Sequence, residues 1–355
     1  MSRLPSDVAR PAKAAEPFCE TSSFRDLQGE MLRLRNTNRD SPETLAYLNW
    51  RYERSPGAPE PVLFWLRSGE GEYIGMAAAV FHPYWLDGER VQVAVIGDIS
   101  LDSAWRGRGL GQQLLRFMTA YLDEHFPRHP ALVIPTESAR RAFAKIGWTT
   151  TATLAPLVYL LDPAPYLRPL VRSAGLARGL ARGVRWCAQG LAARHVRPGD
   201  ALSLTFAPET SFADRGRESS VHAGVRDCGH GPLEWRYLRH PRTRFSFATL
   251  RHAGEPRAFL VFEESTLPGT CLIYDLFAGS VADLRALLAL FILRGLGVPG
   301  LASLRLLLDQ RHPSRAAIRG LGFFARTPDT VLQIHSRDGR AERLAWRITQ
   351  GDKDT

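Results

Sequence analysis

Between Asp98 and Leu115 the chain reads "DISLDSAWRGRGLGQQLL", and six of those residues, Arg106-Gly107-Arg108-Gly109-Leu110-Gly111, have types and spacing suited to holding an anion. A strand that ends in a glycine-rich turn and opens a helix leaves unpaired backbone N–H groups at the positive end of the helix dipole. Gly107, Gly109 and Gly111 let that backbone approach a diphosphate without side-chain obstruction, and Arg106 and Arg108 add positive charge beside it. The turn is neither a P-loop, since GxxxxGK[ST] is absent, nor a dinucleotide turn, since the glycines do not follow GxGxxG.

Positioning such a turn requires a strand before it and a helix after it, and the flanking sequence supplies both. "RVQVAVIGDISLD" alternates with a period of two, as a half-buried strand does, and "GQQLLRFMTAYLDEHF" has helical spacing. Upstream, "VLFWLRSGEGEYIGMAAAVF" predicts two strands about a glycine-rich turn. Downstream, "ALVIP" predicts a short strand, followed by another helix and a glycine-aromatic end, "SARRAFAKIGW".

The same order of pieces occurs twice. "LNWRYERSP" from Leu48 returns as "LEWRYLRHP" from Leu233, then "FSFATLRHAGEPRAFLVFEE", "TCLIYDLFAGS", "VADLRALLALFILRGLG", "SLRLLL" and "PSRAAIRGLGF". Asp98 in "IGDIS" matches Asp275 in "IYDLF". We expect an α/β protein, with a mixed sheet and helices, made of two tandem domains: residues 21–160 and 206–345, joined by a helical linker at 161–205, with flexible ends at 1–20 and 346–355. Trp50 and Trp235 are expected as core anchors, and Pro56 and Pro241 as helix stops. The second copy lacks the arginine-glycine turn. Its helix starts instead with Ser280 as an N-cap.

With "ISLDSAW" before it, the Arg-x-x-Gly-x-Gly turn resembles the acetyl-CoA signature of the GNAT acetyltransferase superfamily, and the likeness extends over most of residues 40–150. It implies that the strand carrying Ile99, Ser100 and Leu101 splays from its neighbour and pairs with the pantetheine arm of acetyl-CoA. It also implies that Arg106, Gly107, Arg108, Gly109, Leu110, Gly111 and Gln112 surround the phosphates. Asp98, beside the expected splay, is the candidate base, directly or through water, and the alternative is that it only supports the neighbouring loop. The sequence departs from the family pattern where many members carry a tyrosine that protonates the leaving sulfur. Phe143 stands there, with Thr136 where an asparagine is common, so the acid is unassigned among Ser100, Thr136, Glu137, Ser138 and water. Ile318 holds the corresponding place in the second copy, which resembles a degenerate GNAT domain that shapes the acceptor site, with Tyr237, His240 and Tyr274 as candidate contacts.

The resemblance implies an acyltransferase acting on an amine. The Trp-Arg-Tyr pattern resembles GNAT proteins linked to surface polysaccharides and suggests an amino sugar or sugar-linked amine. The alternative is a non-catalytic acyl-CoA-binding sensor or scaffold. No metal is expected, since the four cysteines form no ligand-spaced cluster. The net charge of +10 is almost all arginine and comes with no nucleic-acid-binding motif, so no nucleic-acid partner is expected. Without a leader-like or membrane-spanning apolar run, a cytoplasmic location is expected.

The linker, "PAPYLRPLVRSAGLARGLARGVRWCAQGLAARHVRPGD", places Leu170, Ala174, Ala177, Leu180, Val184 and Leu191 at roughly helical spacing. One reading lays Arg172, Arg178, Arg182 and Arg185 on an anionic membrane surface. The other, favoured by the glycines and small residues, packs the stripe against a domain.

Overall fold

A computed structural model describes residues 16–37, 41–53, 57–167, 173–196, 201–207, 222–263 and 269–352. Pro56, Leu170 and Arg172, named above, lie outside them. The first copy opens with β1 (Phe18–Ser23), whose first half falls in the end, 1–20, expected to be flexible, and β1 pairs along its whole length with β2. Helices α1 (Phe24–Thr37) and α2 (Leu45–Arg51) precede β2 (Val62–Arg67), β3 (Tyr73–Leu86) and β4 (Glu89–Leu101). Then come α3 (Leu110–His125), β5 (Ala131–Val133), α4 (Glu137–Lys145) and β6 (Thr149–Leu160).

The linker contributes α5 (Ala164–Leu167) and α6 (Ala174–Ala193). The second copy comprises β7 (Leu202–Thr205), β8 (Ala223–Arg226), α7 (His230–Leu233) with a π-helical turn at Glu234–Leu238, β9 (Phe245–His252), β10 (Glu255–Glu263) and β11 (Thr270–Ala278). It continues through α8 (Val281–Leu296), β12 (Ser303–Asp309), α9 (Arg315–Gly320), β13 (Phe324–Ala325), β14 (Thr330–His335) and β15 (Ala345–Arg347).

The path through the sheet runs β1-β2-β3-β4-β5-β14-β6-β12-β11-β10-β9-β7, so the two copies share one mixed sheet. They also exchange strands. Strand β14 of the second copy lies between β5 and β6 of the first, while the C-terminal half of β6 lies between β12 and β13 of the second. Neither copy therefore completes its sheet alone.

Amphipathic helices cover each half of the sheet. Leu114, Leu115, Met118 and Leu122 of α3 pack on Phe64, Ala79, Phe81 and Ile96, and Leu287, Leu288, Phe291 and Ile292 of α8 sit in a corresponding cluster with Leu260 and Leu306. At about 1.5–3 kcal/mol for each large apolar side chain removed from water, these two faces are the main attachment of the helices. A third cluster is built by both copies and joins Tyr84, Leu132 and Leu154 to Leu307, Leu332, Trp346 and Ile348. Residues 346–352, expected as a flexible end, are folded here: Trp346 fills this core, and Asp352 is buried against Arg226 at 2.8 Å.

The Trp-Arg-Tyr repeat marks the joint between the copies. The rings of Trp50 and Trp235 stack with centroids 4.9 Å apart and planes 13° apart. Trp50 Nε1 donates to the Trp235 carbonyl at 2.9 Å, and Trp235 Nε1 donates to the Trp50 carbonyl at 3.2 Å. This reciprocity is the mark of a local pseudo-twofold axis. It lets each buried indole satisfy its donor across the interface.

Candidate active site

Strands β4 and β5 are parallel neighbours for only two residue pairs, Ala94 with Ala131 and Val95 with Leu132. Strand β5 ends at Val133, whereas β4 runs on to Leu101, held on its other edge by β3 through Ser100 opposite Met76 and Leu101 opposite Gly75. The sheet therefore opens beside Ile99, Ser100 and Leu101. An opened strand edge is the element that an extended ligand backbone can extend.

Just past the opening, Asp102 Oδ1 accepts from the N–H of Ala104 at 2.9 Å, and a 3-10 turn at Ser103–Trp105 redirects the chain. Gly107 (φ 77°) and Gly109 (φ 79°) then take the left-handed conformation that side chains disfavour, and Gly109 caps α3 with no side-chain acceptor. Among the described residues, none of the backbone N–H groups from Gly107 to Gly111 has an acceptor, and a Cβ on Gly107, Gly109 or Gly111 would meet open space. Arg106 Nε donates to the Leu101 carbonyl at 3.0 Å, and Arg108 donates to the Ala104 carbonyl at 3.1 Å with its guanidinium 5.0 Å from the Trp105 ring centroid. Both cations are thus fixed along the turn. The residues present suit a diphosphate: an open array of N–H donors, a helix N-terminus and two arginines.

Asp98 occupies a β-bulge. Between the pairs Ala78–Gly97 and Met76–Ser100, β4 carries one residue more than β3, and Asp98 adopts φ 51°. Ile99 and Leu101 pack on the α3 side of the sheet, while the Asp98 side chain, 1% exposed, turns to α1 and α2 on the other. Arg51 Nε donates to Asp98 Oδ2 at 2.9 Å, Tyr52 Oη donates to the same oxygen at 2.5 Å, and Arg35 pairs with Oδ1. Arg35 also bonds Glu43 at 3.2 Å. Both oxygens of the expected base are therefore engaged by groups of the protein itself. Arg51 and Tyr52 are functional-site residues that the sequence reading does not single out. The signal that could have found them was their repetition together with Asp98 as Arg236, Tyr237 and Asp275.

The other polar candidates have local partners. Phe143 is fully buried, with its ring 4.7 Å from Trp148. Thr136 caps α4 through the N–H of Ala139 at 3.5 Å and contacts Ser138, and Glu137 pairs with Arg140 at 2.6 Å. Tyr237 donates to Asp275, Tyr274 donates to Glu263 at 2.9 Å, and His240 packs edge-on to Trp50 at 4.4 Å while its Nδ1 accepts from the N–H of Thr243 at 2.9 Å. Each of these three expected acceptor contacts is engaged within the protein. Burial pushes the His240 imidazole down to about 4.

In the second copy β11 and β12 likewise pair only from Thr270–Ser303 to Ile273–Leu306 before parting. Here the chain's own end enters the opening. Thr349 bridges to Leu308 of β12, and its hydroxyl donates to Asp275 Oδ1 at 2.6 Å. Arg226 then bonds the Gly351 carbonyl at 3.1 Å and Asp352. Burial, followed by the charge of Asp352, pushes Asp275 up to about 6.

Residues 24–148 match the family model described as "Acetyltransferase (GNAT) family". No curated protein sequence matches the chain significantly. Among solved structures, the chain is similar to a GCN5-related N-acetyltransferase from Anabaena variabilis (TM-score 0.62, 11% identity, 89% of this chain and 72% of that one). It is also similar to a probable N-acyltransferase from Enterococcus faecalis (0.63, 12%, 90% and 72%). A tandem GNAT protein from the clavulanic acid biosynthesis pathway is matched over 90% of this chain and 98% of its own (0.53, 15%). The family match falls on the first copy, and the whole chain has the tandem GNAT fold. Among the described residues no helix is long and apolar enough to cross a membrane.

Proposed function

We propose that the chain is an acyl-CoA-dependent N-acyltransferase that holds its donor on the first copy and shapes its acceptor site with the second. The observation that carries this reading is the run of N–H groups without acceptors from Gly107 to Gly111, set beside the opening of β4 from β5. In this reading Arg106 through Gln112 surround the donor's diphosphate, with acetyl-CoA as the expected donor, and Ile99, Ser100 and Leu101 flank its pantetheine arm. An acceptor amine attacks the thioester carbonyl and forms the amide carbon–nitrogen bond, the carbon–sulfur bond breaks so that coenzyme A leaves as the thiolate, and the amine's proton passes to water, from which the thiolate takes up a proton. Asp98, instead of serving as the base, fixes the bulge from which the strand diverges, with Arg35, Arg51 and Tyr52 holding it there. An amino sugar is the acceptor class to try first, on the likeness of the Trp-Arg-Tyr pattern.

The full burial of Phe143 favours a second reading, an acyl-CoA-binding sensor without turnover. Calorimetric titration with acetyl-CoA, followed by thiol release over a panel of amines including amino sugars, separates the two. Donor binding with thiol release is expected. Donor binding with no release from any amine supports the sensor, and no binding of acetyl-CoA or longer acyl-CoAs overturns both.

A further inference from the structure

Helix α6 faces the protein with its smallest residues. Ala181, Ala188 and Ala192 are buried, Tyr159 Oη donates to the Ala188 carbonyl at 3.3 Å, and Arg185 donates to the Leu296 carbonyl at the end of α8 at 2.6 Å. The larger apolar residues point away. Leu176, Leu180 and Val184 follow one another at four-residue spacing and are 58%, 47% and 41% exposed, and Trp186 is 78% exposed. Gly179, Gly183, Cys187 and Gly190 are exposed as well. The sequence favoured a stripe containing Leu180 and Val184 that packs against a domain. Among the described side chains of that stripe, the structure keeps only Leu191 against the protein, beside Gly322: alanines allow α6 to lie close to α8 and β6, and that seating turns Leu180 and Val184, with Leu176, outward.

A helix facing water ordinarily shows the opposite arrangement, with charge outside and apolar side chains within. Between Asp162 and Asp200 the sequence has seven arginines (Arg168, Arg172, Arg178, Arg182, Arg185, Arg194 and Arg197) and no Asp, Glu or Lys. Arg182 and Arg185 are exposed beside the apolar face, and Arg194 is exposed at its C-terminal end. Apolar side chains suited to the acyl boundary, a tryptophan suited to the headgroup level and flanking arginines with no opposing acid are together the chemistry that an anionic lipid surface recognises.

We infer that α6 is a docking helix for anionic lipid surfaces, lying in the interface plane with Leu176, Leu180, Val184 and Trp186 inserted and the arginines among the headgroups. The protein is thereby held at a membrane without spanning it, independently of donor binding.

Flotation of the full chain with phosphatidylcholine vesicles, and with vesicles containing one third phosphatidylglycerol, tests this. Cys187, the exposed one of the four cysteines, takes an environment-sensitive dye that reports insertion. Expected are binding to the anionic vesicles with a blue shift of the dye, a loss of at least about tenfold in Leu180→Glu/Val184→Glu, and a loss of about tenfold in Arg182→Gln/Arg194→Gln. All of these positions are exposed, and an unchanged thermal midpoint verifies that the variants fold. Absence of binding to anionic vesicles overturns the inference, as does binding that Leu180→Glu/Val184→Glu leaves unchanged. A concentration-dependent dimer abolished by the same variant, with no vesicle binding, would assign the face to a second copy of the chain instead.

Discussion

The helix after the central strand begins in opposite ways in the two copies. In the first, Gly109 caps α3 without a side chain, and a Cβ on Gly107, Gly109 or Gly111 would meet open space. In the second, Ser280 accepts from the N–H of Asp283 at 3.0 Å and donates to the Asp283 carboxylate at 2.7 Å, so an acid of the protein already sits where an anion would bind. The openings in the sheet differ in the same sense: that beside β4 remains, whereas that beside β11 receives Thr349 and the chain end. Duplication supplied two equivalent frames. Internal side chains close one helix terminus and one opening, the division on which the proposed placing of the donor at the first copy rests.

The central aspartates give the largest expected contrast. Asp98 is held by two arginines and a tyrosine, so Asp98→Asn leaves Arg51 buried without its carboxylate and Arg35 with Glu43 alone, and should lower unfolding free energy by about 3–5 kcal/mol. Asp275 is bonded by two hydroxyls and lies near a second carboxylate, so Asp275→Asn should change stability by no more than about 1 kcal/mol. Urea unfolding of both variants at neutral pH checks the pair. Equal losses would break the comparison and show the two networks to be equivalent supports.

The next contrast concerns the turns. Gly111 has ordinary backbone angles and open space beyond its Cβ, so Gly111→Glu should fold normally while setting a carboxylate among the phosphate donors. Acetyl-CoA affinity should fall at least 100-fold, or about 2.7 kcal/mol. Ser280→Ala in the second copy should leave donor affinity unchanged and lower stability by about 1 kcal/mol through loss of the cap. Calorimetric titration of both variants reads the difference, and donor affinity that responds to Ser280 and not to Gly111 would exchange the roles of the copies.

What was legible in the sequence was local. The alternation in "RVQVAVIGDISLD" and the glycines after Trp105 depend on neighbours within a few residues, and β4, the turn and α3 lie where they were expected. The repeated Trp-Arg-Tyr marked the duplication and its core tryptophans. What escaped was relational: Arg35 meets Asp98 across 63 residues with no spacing rule to announce it, and the exchange of β6 and β14 follows from which sheet edges remain open after folding. Periodicity likewise located a stripe on α6 without saying which side of the helix would be packed. The end "ITQGD" reads as polar, and only its partners Arg226 and Asp275 bury it.

The smallest contrast is in acid. His312 is pushed down to about 3 by burial, with Arg347 and Arg315 adding to the effect, and His240 to about 4. Such groups are neutral in the folded chain but take up protons when unfolded. Their stabilisation is complete above the unfolded value of about 6.5 and is lost as pH falls toward the folded values. His312 alone should account for roughly 2 kcal/mol between pH 7 and pH 5, while the half-exposed His240 adds less. Asp275 acts with the opposite sign. Its folded value near 6 lies above the unfolded one, so its contribution is present in acid and is lost as pH rises through about 6. Urea midpoints for the parent, His312→Gln and Asp275→Asn across this window should therefore diverge: the decline toward acid becomes shallower in His312→Gln and steeper in Asp275→Asn. Parallel curves would mean that the buried histidine and the second-copy aspartate are not what makes the fold sensitive to acid, and would remove the electrostatic part of the difference between the copies.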